Sequence, residues 1–262
     1  MMDPTSQSNI SHKRESSPNS TKNTTTPGMS PYIRDTRSDY PSWLLALPNN
    51  RANLVETGNE TFNPYLISCR KRALDIGIAS TVLVVLCPLL LTVGLIIRLS
   101  SPGPALFRQA RTGAGGRAFT IYKFRSMKLH QQAPATVVQA QRGDDRITSF
   151  GHFIRRTSID ELPQILNVLN GTMSLVGPRP HAAEHDAYYT KRISRYAHRF
   201  TVLPGLSGLA QVNGARGATP RLADMERRLA YDLEYIQTAS LRTDLRILAA
   251  TVREMLLSSS AY

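Results

Sequence analysis

The residues of this chain that could do chemistry centre on an adjacent pair of carboxylates, Asp160 and Glu161. They stand in the run Arg155-Arg156-Thr157-Ser158-Ile159-Asp160-Glu161-Leu162-Pro163. Two readings of the pair are open. In the first, they cap a helix start and offset its dipole, with Ser158-x-x-Glu161 as a capping box. In the second, one carboxylate attacks a phosphoryl centre, and its neighbour holds Mg²⁺, a hard cation that takes carboxylate and phosphate oxygens. Arg155 would then neutralise charge on the transferred group. Gly177-Pro178-Arg179-Pro180 supports the second reading, because prolines on both sides of an arginine lower the entropy cost of aiming its guanidinium. Lys123 and Arg125 end an alternating stretch, 118–125, that reads as a strand. On one face of it they suit a diphosphate. Gln211 and Asn213, between turns at Pro204-Gly205 and Asn213-Gly214, are candidates for holding a base or sugar from a short extended piece.

The elements that must position these groups follow from periodicity. Leu162, Ile165, Leu166 and Leu169 predict a helix from Pro163 to Asn170-Gly171. Residues 130–142 read as a loop. Leu222, Met225, Leu229, Leu233 and Ile236, then Leu241, Leu245, Leu248, Val252 and Leu256, predict two amphipathic helices with arginines on their other faces. Such helices fit either a membrane interface or the protein's own core. The fold class expected is predominantly α with minor β.

The chain has 262 residues and a net charge of +13. The first 65 residues are neutral, so the whole excess lies beyond them and favours phosphate-bearing partners. Ser, Thr, Asn and Pro make up 18 of the first 30 residues, the composition of a disordered tail. Two cysteines exclude a disulfide framework, and no His/Cys cluster has zinc spacing.

Ile76 to Ile97 is an uncharged, apolar run with Cys87-Pro88 near its centre. A helix of that length just crosses a bilayer core. Basic residues flank both ends, however: Arg70, Lys71 and Arg72 before it, Arg98, Arg108 and Arg111 after it. The positive-inside bias would keep both ends on the cytoplasmic side. A re-entrant hairpin turning at Cys87-Pro88 satisfies both flanks. A kinked single span and a buried core helix are the alternatives.

Together these motifs resemble the bacterial sugar transferases, the monotopic polyprenyl-phosphate phosphoglycosyl transferases. The marks are Lys71-Arg72-x-x-Asp75, the apolar run with Cys87-Pro88, and Ile121-Tyr122-Lys123-Phe124-Arg125-Ser126-Met127. Arg155 to Pro163, Met173 to Pro180 and Pro204 to Asn213 follow in order. The resemblance covers Cys69 to Tyr262 and looks most like the branch acting with glucose or galactose. It implies that Asp160 attacks the β-phosphate of a UDP-sugar, releases UMP and passes the sugar phosphate to polyprenyl (undecaprenyl) phosphate. It further implies that Glu161 binds Mg²⁺, that Lys123, Arg155 and Arg179 lie near the phosphates, and that Asp232 is an acidic site position. Two departures stand out: Cys87 replaces the family's serine before Pro88, and Leu209 replaces its tryptophan.

The expected organisation is therefore a tail (1–65), a re-entrant membrane helix (66–99) and a cytosolic catalytic domain (100–262) with interfacial amphipathic helices. It is a compact form of the family at the cytoplasmic face of the inner membrane. The expected partners are a UDP-sugar, undecaprenyl phosphate, membrane lipid and downstream glycosyltransferases in exopolysaccharide or capsule synthesis. Nucleic acid is not expected, because its readers pair basic patches with exposed aromatics, which are only 7% of residues here. The rivals are the same reaction on an N-acetylated or diamino sugar, and a non-catalytic basic membrane module.

Overall fold

A computed structural model describes residues 63–128 and 144–257. The loop expected at 130–142 and nearly all of the expected tail lie outside the described residues. Asn63 and Tyr65, assigned to the tail, instead join the fold. The Asn63 side chain donates to the Gln237 and Ala239 carbonyls at 3.0 and 2.7 Å, and the Tyr65 hydroxyl donates to Asp244 at 2.9 Å.

The longest element is α1, Cys69–Ser100. The sequence predicts a turn between two helices at Cys87-Pro88, but helical bonding runs through it, so α1 is one helix with Pro88 inside. Polar side chains in the apolar stretch turn back onto the helix: Thr81 donates to the Gly77 carbonyl and Thr92 to the Pro88 carbonyl at 2.9 and 2.8 Å. These two hydroxyls are satisfied within the helix and do not oppose burial in an apolar medium.

Both ends of α1 dock on the same body. At the start, Lys71, Asp75 and Ala79 are buried; toward the end, Val93 and Ile97 pack with Phe124 and Ile154. Between them Val84, Val85 and Leu91 are 73, 69 and 69% exposed, with no protein cover. Arg125 caps the far end. Its guanidinium donates to the Ile97, Ser101 and Pro102 carbonyls at 3.2, 2.8 and 2.5 Å, in the last turn of the helix and just beyond it.

Strands β1 (Leu106–Thr112) and β2 (Ala118–Phe124) form an antiparallel pair in the register Phe107↔Lys123, Gln109↔Ile121 and Arg111↔Phe119. Helix α2 (Ser149–Arg156) leads through a left-handed Ser158, φ +58°, into a 3₁₀ turn, Ile159–Gln164, and then α3, Ile165–Leu169. The capping box is absent: the Ser158 hydroxyl accepts from Arg216, and Glu161 points away to other partners. β3 (Ser174–Val176) pairs in parallel with β4 (Gly205–Ser207), flanked by α4 (Ala183–Thr190) and α5 (Leu209–Val212). Gln211 and Asn213 therefore sit in and after a short helix rather than on an extended piece.

The two predicted C-terminal helices are present as α6, Leu222–Thr238, and α7, Leu241–Leu257. α6 turns Met225, Leu229 and Tyr235 inward, whereas α7 buries Asp244 and Ile247 and leaves Leu241, Leu245 and Val252 about half exposed, at 48, 48 and 57%. The main core joins Ala79, Ile121, Val168, Met173, Leu175, Tyr235 and Ile247.

A cluster of buried charge ties these elements together. The Lys71 ammonium donates to Asp75 at 3.2 Å, to Asp244 at 2.7 Å and to the Val176 carbonyl at 3.3 Å. Asp75 also accepts from the Leu175 amide at 3.1 Å, and Asp244 from the hydroxyls of Tyr65 and Tyr235 at 2.9 and 2.8 Å. Asp75 is thus a structural ligand of β3. Removing one partner of such a cluster strands the others without water. Asp244→Ala is expected to cost about 3–5 kcal/mol, read as a large fall in Tm of the detergent-purified protein.

Candidate active site

Lys123 leaves β2 toward the 3₁₀ turn, while its neighbours Ile121 and Phe124 face the core. The turn is held against the strand by Asn167, which is fully buried. Its side chain accepts from the Tyr122 amide at 3.0 Å and donates to the Thr120 carbonyl at 2.7 Å. That register brings the Lys123 ammonium to 2.8 Å from Glu161 Oε1.

Arg179 arrives from the other side, on the loop after β3. Its backbone is placed by close glycine packing: Gly177 donates to the Ser207 carbonyl and Gly205 to the Pro178 carbonyl, both at 2.9 Å. A Cβ on Gly205 would overlap the Gly177 amide nitrogen, so the approach admits no side chain. The Arg179 guanidinium forks onto Glu161, one nitrogen at 2.9 Å from Oε2 and the other on Oε1. This bidentate geometry is one that lysine cannot supply.

The two carboxylates are thereby made unlike. Burial pushes Glu161 upward, but Arg179 and Lys123 overcome it and hold the group well below the usual carboxylate range. Asp160 accepts no hydrogen bond among the described residues and is 9% exposed. Burial, and then the Glu161 charge, raise it to about 6 against the pull of Lys123, Arg155 and Arg179. Adjacent carboxyl groups whose environments drive their pKa values apart are the arrangement that divides labour in acid–base and nucleophilic catalysis.

Asp160, Glu161, Lys123, Arg155 and Arg179 therefore come together as expected. Arg125 does not, since its guanidinium is spent on the end of α1. Asp232 lies one layer beneath, paired with Arg199 at 3.0 Å, and Arg199 in turn donates to the Arg179 carbonyl at 2.6 Å. Burial raises the Asp232 carboxyl. Gln211 donates to the Leu206 carbonyl at 3.3 Å, leaving its Oε1 buried and unbonded beside Gly208. The Asn213 side chain donates back to the Leu209 carbonyl at 2.8 Å.

One cation escaped the sequence reading, where it counted only as flanking charge. Arg111 bridges to Ala182, which brings it beside the Arg179 loop. Burial, and then Arg179, lower its pKa to about 10, and its Nε is buried without a partner. No residue spacing announces this placement, because it depends on a contact between β1 and the start of α4.

The site as a whole is an anion receptor built around a protected carboxylate pair. A family model for bacterial sugar transferases matches residues 66–258. The chain belongs to this family. Among its curated relatives is a UDP-glucose:undecaprenyl-phosphate glucose-1-phosphate transferase of Caulobacter vibrioides, 54% identical over 196 residues, 75% of this chain and 73% of that protein. A protein of the same description from Xanthomonas campestris pv. campestris is 48% identical over 210 residues, covering 80% of this chain. The matched region is only 43% of that longer relative. An exopolysaccharide production protein of Rhizobium leguminosarum bv. phaseoli is 46% identical over 185 residues, covering 70% of this chain and 92% of its own length. Of the sugar transferase motifs read from the sequence, those that carry Lys123, Arg155, Asp160, Glu161 and Arg179 meet at this site.

A family member that uses Asp160 as its ionised carboxylate gains rate as pH rises through about 6, because the raised pKa leaves the group protonated below that point. The pH profile of kcat/KM is expected to fall roughly tenfold per unit below it. Glu161, held low, contributes no inflection in that range.

Proposed function

We propose that the chain transfers hexose-1-phosphate from a UDP-sugar, UDP-glucose or UDP-galactose, to polyprenyl (undecaprenyl) phosphate and releases UMP. The observation that carries this reading is the contrast within the dyad: Glu161 is locked by Arg179 and Lys123, while Asp160 is unbonded and ringed by cations. In the first step an Asp160 oxygen attacks the β-phosphorus of the donor. The bond from that phosphorus to the bridging oxygen breaks, and UMP leaves with the oxygen. In the second step a phosphate oxygen of the polyprenyl acceptor attacks the same phosphorus, the acyl-phosphate bond breaks and Asp160 is regenerated. Lys123, Arg111, Arg155 and Arg179 are placed to balance the donor's charge. Gln211, whose Oε1 is unbonded, is a candidate for a neutral contact to base or sugar.

The donor set fits Mg²⁺. Two of the lone pairs on Glu161 Oε1 and one on Oε2 are taken by Lys123 and Arg179, which leaves one on Oε2 beside the open Asp160 oxygens. A Mg²⁺ ion needs only one or two carboxylates when phosphates complete its shell. Bound there it would neutralise diphosphate charge, with Glu161 as its protein ligand.

We place the protein at the cytoplasmic face of the inner membrane, with α1 re-entrant. A spanning helix would put its ends on opposite sides of a core about 30 Å thick, whereas both ends of α1 dock on one body. The half-exposed Leu241, Leu245 and Val252 of α7, beside Arg242, Arg246 and Arg253, suit the lipid interface. A polyprenyl-diphosphate sugar made there is the substrate that downstream glycosyltransferases extend in exopolysaccharide or capsule synthesis.

The deciding assay is UMP release by the detergent-extracted protein with Mg²⁺, polyprenyl phosphate and a panel of UDP-sugars, N-acetylated donors included. Asp160→Asn is expected to lose activity by about a thousandfold or more while keeping its Tm, since it removes a buried charge rather than a contact. Release that survives this substitution would refute the covalent step. Topology is checked by cysteine labelling in intact spheroplasts. Cys69 and a cysteine introduced at Ser101 should both resist an impermeant periplasmic reagent, and labelling of either would refute re-entry.

A further inference from the structure

Beneath Arg179 lies a buried polar cluster that the chemistry above does not use. Its centre is His181, 7% exposed and two residues beyond Arg179. Two guanidiniums meet its ring. Arg199 approaches Nδ1 at 2.5 Å, and Arg228 approaches Nε2 at 3.1 Å. The Tyr196 hydroxyl lies 2.8 Å from Nδ1 and donates to Asp186 at 2.8 Å.

Each arginine also holds a different loop. Arg199 donates to the Arg179 carbonyl at 2.6 Å and to Asp232 at 3.0 Å. Arg228 donates to the Ala215 and Gly217 carbonyls at 3.0 and 2.8 Å. The 215–217 loop carries Arg216, whose guanidinium donates to the Ser158 hydroxyl at 2.7 Å, two residues from Asp160. The loop has little packing of its own: Gly214 and Gly217 adopt positive φ, 75° and 97°, and among the described residues nothing lies within 4 Å of where their side chains would begin. Its position therefore depends on two backbone bonds back to α5, from Gly214 to Gln211 at 3.2 Å and from Ala215 to Ala210 at 2.9 Å, and on the arginine tethers beyond them. One loop brings a guanidinium to Glu161, the other brings one to Ser158, at the turn that leads into Asp160, and the imidazole lies between their anchors.

The chemistry of that joint is restrictive. A guanidinium only donates, and a neutral imidazole has a single bare nitrogen to accept. A protonated ring has none. Burial, with Arg199, Arg228, Arg111 and Arg179 around it, holds the His181 pKa well below its ordinary value, so the ring stays neutral.

We propose that His181 is a positioning residue. Its Nε2 accepts from Arg228, and its Nδ1–H donates to the Tyr196 hydroxyl, which Arg199 also reaches at 2.9 Å; the ring thereby sets the spacing of the Arg179 and Arg216 loops. Its kinetic consequence rests on the phosphosugar-transfer reading; its structural consequence does not.

The test uses the full chain in detergent or nanodiscs, with His181→Leu, His181→Gln and Arg228→Lys. In hydrogen exchange, amides 213–217 are expected to exchange about tenfold faster in His181→Leu, the size of one lost buried hydrogen bond, with α6 and α7 unchanged. His181→Gln keeps an amide oxygen able to accept from Arg228 and should recover most of that protection. Arg228→Lys should reproduce the loop's loss by releasing the Ala215 and Gly217 carbonyls. In the UMP-release assay, His181→Leu should raise KM for the UDP-sugar by about tenfold with kcat within about threefold, because positioning of the donor rather than the reacting carboxylate is disturbed. Loop exchange that is unchanged in His181→Leu, or that rises no more than exchange throughout the fold, would overturn the proposal. Absence of UMP release from the unsubstituted protein would sink the proposed function while leaving the exchange result to decide the role of His181.

Discussion

The rest of the structure depends on one buried ammonium shared between two carboxylates. Lys71, Asp75 and Asp244 are 4, 1 and 0% exposed. Isolated, each would be too costly to bury; together, with two tyrosine hydroxyls, the Leu175 amide and the Val176 carbonyl, they satisfy one another. The cluster joins the start of α1, strand β3, α6 and α7 at a point three residues before Arg179. The apolar helix is thereby tied through Lys71 and Asp75 to β3, the strand that leads into the loop bearing the arginine that grips Glu161.

From that anchor the site is built in layers. The upper one holds the two carboxylates, made unlike by who touches them: an arginine fork and a lysine on Glu161, and only distant cations around Asp160. The lower layer alternates charge, with Arg199 between Asp232 and Asp186 and Arg228 reaching out to loop carbonyls. Burial raises the carboxyls of Asp186 and Asp232, and the charge of Arg199 pulls against it in both. Packing and electrostatics answer the same demand here. A cation-rich pocket must be kept from collapsing onto its own acids before an anionic substrate arrives.

The groups of the candidate site were legible in the sequence because their residue types are chemically unusual where they stand: adjacent acids after arginines, and an arginine between prolines. The strand bearing Lys123 and the two amphipathic C-terminal helices were legible from periodicity. What was illegible came from contacts between distant segments or from single backbone angles. Arg125 lies one residue past the end of β2, where alternation no longer predicts direction, and the carbonyls at and just beyond the end of α1 claim it. Ser158 and Glu161 have capping-box spacing, yet a left-handed Ser158 turns the chain and frees Glu161 for Lys123. Proline at 88 suggested a turn between two helices, although a helix can carry a proline without interrupting its bonding. Arg111 and His181 became visible only once the β1–α4 bridge and the lower layer were in place.

The double docking of α1 has a mechanical consequence. A helix fixed at one end can slide or piston along its axis to suit the thickness of its surroundings. This one, held by Lys71 near its start and by Arg125 at its close, cannot shift without pulling on β3 or β2. In the re-entrant placement proposed above, its uncovered middle would work as a depth gauge, fixing how far the carboxylate pair stands from the lipid it enters. Adaptation to a thicker or thinner lipid layer would then come from tilting the whole body, which would move the site and the basic face of α7 as one unit.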